Sequence, residues 1–122
     1  MIDHVGFKVS DFAKSKKFYE AALKCIGYAV IMGDDAQKYA GFGGKDGPDF
    51  WIVGGTVGAP AHVALRADNR AAVGKFHADA LAAGGRDNGK PGPRPEYTPT
   101  YYGAFVLDPD GNNVEVVCHA AQ

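Results

Sequence analysis

From Ile2 to Val9 apolar and polar positions alternate, and the run is rich in β-forming residues, so it predicts a strand. The period then lengthens. Phe12, Tyr19, Ala22, Leu23 and Ile26 recur at helical spacing behind a capping Ser10 or Asp11, and Gly27 stands where a helix would stop. Shorter extended segments follow at about residues 28–32, 37–42 and 49–53. The plan then begins again. Residues 61–67 read as a strand, and Asp68 or Asn69 caps a helix that runs to about Ala83. Its apolar face carries Val73, Phe76, Ala80 and Leu81, and Gly84-Gly85 ends it. Strand signal is weak at 86–88 and firm at 101–107 and 113–118, the last two joined by the turn Asp108-Pro109-Asp110-Gly111.

The second half repeats the first at a shift of 58 residues. His4-Val5 falls on His62-Val63, Lys17-Phe18 on Lys75-Phe76, Ala22-Leu23 on Ala80-Leu81, and Gly27 on Gly85. A run of matches at one offset, through a strand and then a helix, marks a duplication. The chain therefore reads as one α+β domain of two tandem βαβββ modules, about residues 1–56 and 60–119. Residues 89–100 break the symmetry. Gly89 to Pro95 holds three prolines, which cannot serve a central strand, so this stretch is expected to be a long loop.

Composition narrows the partners. At 122 residues the chain has room for one domain. Thirteen basic and fourteen acidic residues give a net charge of −1, which offers no footprint for nucleic acid or an anionic membrane. No apolar run approaches a membrane span and no signal peptide is evident, so a cytoplasmic protein is expected. Cys25 and Cys118 match no metal spacing; a disulfide stays open, with reduced thiols the expectation.

The segments IDHVGFKV, AHVALRA and FVLDPDGNNVEVV, in that order and with FY on the first helix, resemble the vicinal oxygen chelate superfamily. That superfamily includes glyoxalase I, extradiol dioxygenases, and the fosfomycin- and bleomycin-resistance proteins. The resemblance covers essentially the whole chain. It implies that the modules curl into a paired mixed-sheet cleft holding a divalent metal. It assigns His4 and His62 as first-strand ligands and Glu115 as a last-strand ligand and the catalytic carboxylate. Period-two geometry supports this: the apolar faces Val5/Phe7/Val9 and Val114/Val116/Cys118 must pack on helices, so His4 and Glu115 point the other way. The repeat sets Trp51 opposite Glu115, so the set has three ligands and departs from four-ligand glyoxalase I. Two imidazoles and a carboxylate suit Fe, Mn, Zn, Ni or Co without choosing among them.

Trp51, Tyr101, Tyr102 and Arg94 are candidates for contacts to substrate, with alternation allowing one of the two adjacent tyrosines to face the cleft. The resemblance implies a metal-dependent enzyme acting on vicinal oxygens of a small molecule, by isomerisation, ring cleavage or thiol addition, and working as a homodimer. The alternative is a metal-free binder of the bleomycin-resistance kind, which would be expected to lack these ligands. A purely structural metal is disfavoured, because structural sites are closed.

Overall fold

The computed structural model describes residues 1–121. Module one runs β1 (Val5–Val9), α1 (Phe12–Ala22), a 3-10 turn (Lys24–Ile26), β2 (Ala29–Asp34), β3 (Tyr39–Gly44) and β4 (Gly47–Gly54). Module two runs β5 (His62–Arg66), α2 (Arg70–Ala82), β6 (Arg86–Pro93), β7 (Tyr102–Leu107) and β8 (Asn113–Cys118). Each module forms its own four-stranded mixed sheet, in the orders β1-β4-β3-β2 and β5-β8-β7-β6. In both, the first strand runs parallel to the last and the other pairs are antiparallel. The duplicated α+β plan is the one expected.

Of the two possible caps for each helix, the second is used. The Asp11 side chain accepts from the Lys14 amide, and the Asn69 side chain from the Ala72 amide. The first helix ends sooner than its apolar spacing suggests. Leu23 is buried, the chain tightens into the 3-10 turn, and Gly27 closes that turn in the left-handed region at φ 80°.

The loop expected at 89–100 is shorter than that, since β6 extends through Pro93 and only the residues from Arg94 on are loop. The physical rule was sound, but the strand lies at the sheet edge, where a missing N–H costs nothing. Two register shifts, at Asp87/Gly89 and Gly89/Gly92, carry the ladder past the irregular sequence.

The core is one cluster drawn from both modules. Phe18, Tyr19, Phe42, Phe50 and Ile52 meet Val73, Phe76, Val106, Val114 and Val116. Helix α1 packs on α2, and the 3-10 turn packs on α2 as well. Each helix also lies against its own sheet, giving the layer order sheet, helix, helix, sheet. The outer faces of the two sheets are thus turned away from each other within one chain.

A polar joint ties the modules across this core. Tyr19 on α1 donates its hydroxyl proton to Asp108 Oδ2 at 2.5 Å. Asp108, 2% exposed, also accepts from the Asp110 and Asn112 amides and from Asn112 Nδ2. Four donors satisfy a carboxylate that would otherwise be costly to bury. Nearby, Ser10 donates through its amide and its hydroxyl to the Asp110 carboxylate. The Asp108–Asn112 turn is therefore a joint between modules as well as a link between β7 and β8.

Burial, and then the charge and hydrogen bond of Asp108, raise the Tyr19 hydroxyl well above its ordinary range. The folded chain holds that proton more tightly than the unfolded chain. The joint's contribution is therefore complete below about pH 10 and is lost as pH rises through the raised folded value. Tyr19→Phe should cost about 1.5–3 kcal/mol at pH 7, because it removes a hydrogen bond to a charged group. Urea denaturation should also show a shallower loss of stability above about pH 10 in the variant than in the parent. Parallel alkaline profiles would contradict this account.

Candidate functional site

The packing of β8 fixes the site. Val114, Val116 and Cys118 are buried on the helix side, so Glu115 projects to the outer face, opposite Ala64 on β5 and Phe105 on β7. It is nevertheless 2% exposed. Tyr101 covers one side and donates its hydroxyl proton to Oε1. His62 covers the other, with Nε2 at 3.3 Å from Oε2. Gly103 on β7 leaves the room: a Cβ there would stand 3.1 Å from Glu115 Oε1 and 3.3 Å from Tyr101 Cε1. Burial and then the bond to Glu115 push the Tyr101 hydroxyl up to about 12, so it remains a donor at neutral pH.

His62 opens β5 and its side chain is half exposed. Its Nδ1 lies 2.9 Å from the Asn113 carbonyl oxygen. A carbonyl can only accept, so this contact assigns the ring proton to Nδ1. Nε2 is then left facing the Glu115 carboxylate. Two donors bound at about 2.1 Å and at a right angle would be about 3 Å apart, so the pair fits two corners of a divalent site. An Nδ1–H donated to a backbone carbonyl is also the contact by which metal-binding histidines are held in orientation.

His4 does not join them. It precedes β1 on module one, is exposed, and has Nδ1 at 2.8 Å from Asp3 Oδ2. Among the described residues, no three His, Cys, Asp or Glu side chains converge as a metal group within the chain. One chain thus brings together two of the three expected ligands. The ladders do place Trp51 and Glu115 at matching positions: Trp51 pairs with Gly6 on β1 as Glu115 pairs with Ala64 on β5. The indole lies across Gly41, where a Cβ would come within 2.8 Å of the ring.

The two adjacent tyrosines divide as alternation requires. Tyr101 meets Glu115, whereas Tyr102 packs against the core, with the Arg70 guanidinium 4.7 Å over its ring. Arg94 sits 5.5 Å over Phe105 and donates to the carbonyls of Lys90, Gly92 and Pro93, fastening its own loop. The sequence reading did not single out Gly103, Phe105, Asn113 or His119. Gly103 and Phe105 share period two with Tyr101, so alternation along β7 was a usable signal. The Phe105 ring stacks on His62 at 6.3 Å, and His119 meets the Tyr101 ring edge-on at 5.3 Å. The role of Asn113 follows from the parallel β5–β8 register.

A cavity of about 770 Å³ lies beside α1 among Phe12, Lys16, Lys17 and Lys38, and none of the candidate ligands lines it. The His62–Glu115 pair stands instead on the outer face of the module-two sheet. Cys25 and Cys118 are free thiols. Among the described residues no helix is long and apolar enough to cross a membrane.

Tandem four-stranded modules, with a His–Glu pair on the first and last strands of one and a histidine at the matching place in the other, define a paired βαβββ protein. The model of the Glyoxalase/Bleomycin resistance protein/Dioxygenase superfamily matches residues 1–116, and the chain belongs to that superfamily. A glyoxalase/bleomycin resistance protein from Albidiferax ferrireducens T118 is 26% identical with a TM-score of 0.79, the match covering 95% of this chain and 96% of that one. A glyoxalase I mutant from Zea mays is 28% identical with a TM-score of 0.67; 95% of this chain matches 46% of the maize chain. A glyoxalase/bleomycin resistance protein/dioxygenase family enzyme from Burkholderia phytofirmans PsJN shares the fold at 18% identity and TM-score 0.72, over 98% of each chain. No curated protein sequence matches.

Proposed function

We propose that this chain is a small metal-dependent enzyme that binds neighbouring oxygens of a small substrate at a centre of His4, His62 and Glu115, assembled between two copies of the chain. The observation that carries the reading is the His62–Glu115 pair. A buried carboxylate and an imidazole nitrogen stand 3.3 Å apart, and the other imidazole nitrogen is already committed to Asn113. A divalent ion bound there, with Fe, Mn, Zn, Ni and Co all suited to the donors, would supply Lewis-acid polarisation of the substrate oxygens.

The chain's own residues do the rest. Glu115 supplies a fixed negative charge and His62 a neutral donor, both held from strands rather than from mobile loops. Phe105 walls the His62 side, and its ring would exclude water from that flank.

The third ligand has to come from outside. His4 belongs to module one, whose outer face looks away from module two of the same chain. That face is open and apolar, with Met32 54% and Val53 38% exposed beside the half-buried Trp51, and Ile2 near His4 81% exposed. Apolar surface of this kind marks an interaction site. Docking it on module two of a second copy covers it and brings His4 of the partner subunit toward Glu115. A two-fold dimer then closes two equivalent clefts, each with a Trp51 wall.

A metal-free binder is the second reading, favoured by one observation: among the described residues of one chain no third ligand joins the His62–Glu115 pair.

Elemental analysis should find about one divalent metal per chain, and light scattering should give twice the chain mass. His4→Ala and His62→Ala should each lose the metal when prepared alone. Refolding the two variants together should regain up to one metal per mixed dimer, because one of its two clefts then keeps both histidines. Metal retained in His62→Ala would refute the site, and no recovery on mixing would refute its division between chains. A metal-free parent that still captures small aromatic molecules would favour the second reading.

A further inference from the structure

We infer that Tyr101 is a positioning residue that reserves one oxygen of Glu115, so that the carboxylate serves the metal through its other oxygen alone. The inference rests on the metal reading above.

Glu115 has its two oxygens committed in different directions. Oε1 accepts the Tyr101 hydroxyl proton, and Oε2 faces His62 Nε2 at 3.3 Å. Chelation through both oxygens would make Oε1 share its electron density between the ion and the Tyr101 hydroxyl, which disfavours it as a second donor beside Oε2. A single-oxygen ligand leaves one more coordination position for a substrate that brings two oxygens of its own.

The surroundings are built to hold the phenol there. Tyr97 and His119 pack edge-on against its ring, at 5.0 Å and 5.3 Å. The Tyr101 amide donates to the Thr98 carbonyl, and its carbonyl accepts from the Arg94 amide at 2.8 Å. Arg94 fastens the preceding residues through the carbonyls of Lys90, Gly92 and Pro93. The Pro- and Gly-rich stretch is thus the mount of Tyr101. Gly103 completes the slot, because any side chain there would crowd both the hydroxyl-bearing ring and Oε1. With its hydroxyl spent on Glu115, Tyr101 acts on the substrate through the metal ligand rather than by touching it.

Cobalt(II) is the probe. Visible absorption reports coordination geometry, titration reports affinity, and the splitting of the infrared carboxylate stretches separates one-oxygen from two-oxygen binding. Tyr101→Phe should weaken cobalt binding by about 10- to 100-fold, the range for losing an outer contact to a ligand. It should also shift the visible band and narrow the carboxylate splitting. Gly103→Ala should do the same by pushing the ring away, and it serves where Tyr101→Phe folds poorly. Lys16→Met is the control: it removes a bond to Asp35, at 2.8 Å and beside the α1 cavity that no candidate ligand lines, and should leave all three readings at parental values. Parental spectra and affinity in Tyr101→Phe would overturn the inference and leave the metal reading standing. The same change in Lys16→Met would also overturn it, as general destabilisation. Failure of the parent protein to bind cobalt would overturn both.

Discussion

The packing of α1 against α2 is the constraint on which the remaining geometry depends. Phe18 and Tyr19 enter the same core as Val73 and Phe76, and the Tyr19–Asp108 joint adds a directional bond where the apolar contacts supply none. With the helices in the middle, each sheet must turn its apolar face inward. Whatever is polar and reactive is left on the outer faces, and those faces are separated by the full thickness of the helix pair. On the proposed metal reading, the fold thereby produces two half-sites on one chain, each unable to reach the other.

Glu115 shows what the half-site on module two is prepared for. A carboxylate on an open sheet face would ordinarily be solvated. This one is covered by Tyr101 and His62 and reached through the gap left at Gly103. Ordering it that way costs hydration of the charge, and such a cost is sustained where the group is needed in one orientation. Its second oxygen faces His62 Nε2. Asn113 fixes that histidine from behind, and Asn112 in turn holds the amide of Ala61, the residue just before it, at 2.8 Å. Asn112 also belongs to the joint at Asp108, so inter-module packing and ligand placement share one short turn.

Much of this was legible in the sequence, for identifiable reasons. The duplication and the helix and strand types follow from periodicity, which the core enforces at Phe18, Phe76, Val114 and Val116. The equivalence of Trp51 with Glu115 was readable because both modules repeat the same parallel ladder. Three things were not readable. The extension of β6 to Pro93 depends on its being the edge strand, which is a matter of sheet order rather than local preference. The choice between Tyr101 and Tyr102 depends on where β7 joins β8, because alternation states that they differ but not which one faces Glu115. The separation of His4 from His62 depends on how the two modules pack, and no pattern within either module carries that information.

The asymmetry between the modules then acquires a physical sense. Duplication made two similar faces, and two copies of a charged, ligand-bearing face would repel when brought together. Here one face holds a histidine with Trp51, Met32 and Val53, and the other a histidine with a buried carboxylate. Those faces are complementary rather than alike. In the proposed two-fold dimer each apolar face lies against a ligand-bearing one, so one kind of contact is made twice and the assembly closes on itself. On the same proposal, Trp51 at the place matching Glu115 would keep a charge off the surface to be covered and would leave the centre a position that a substrate oxygen could take.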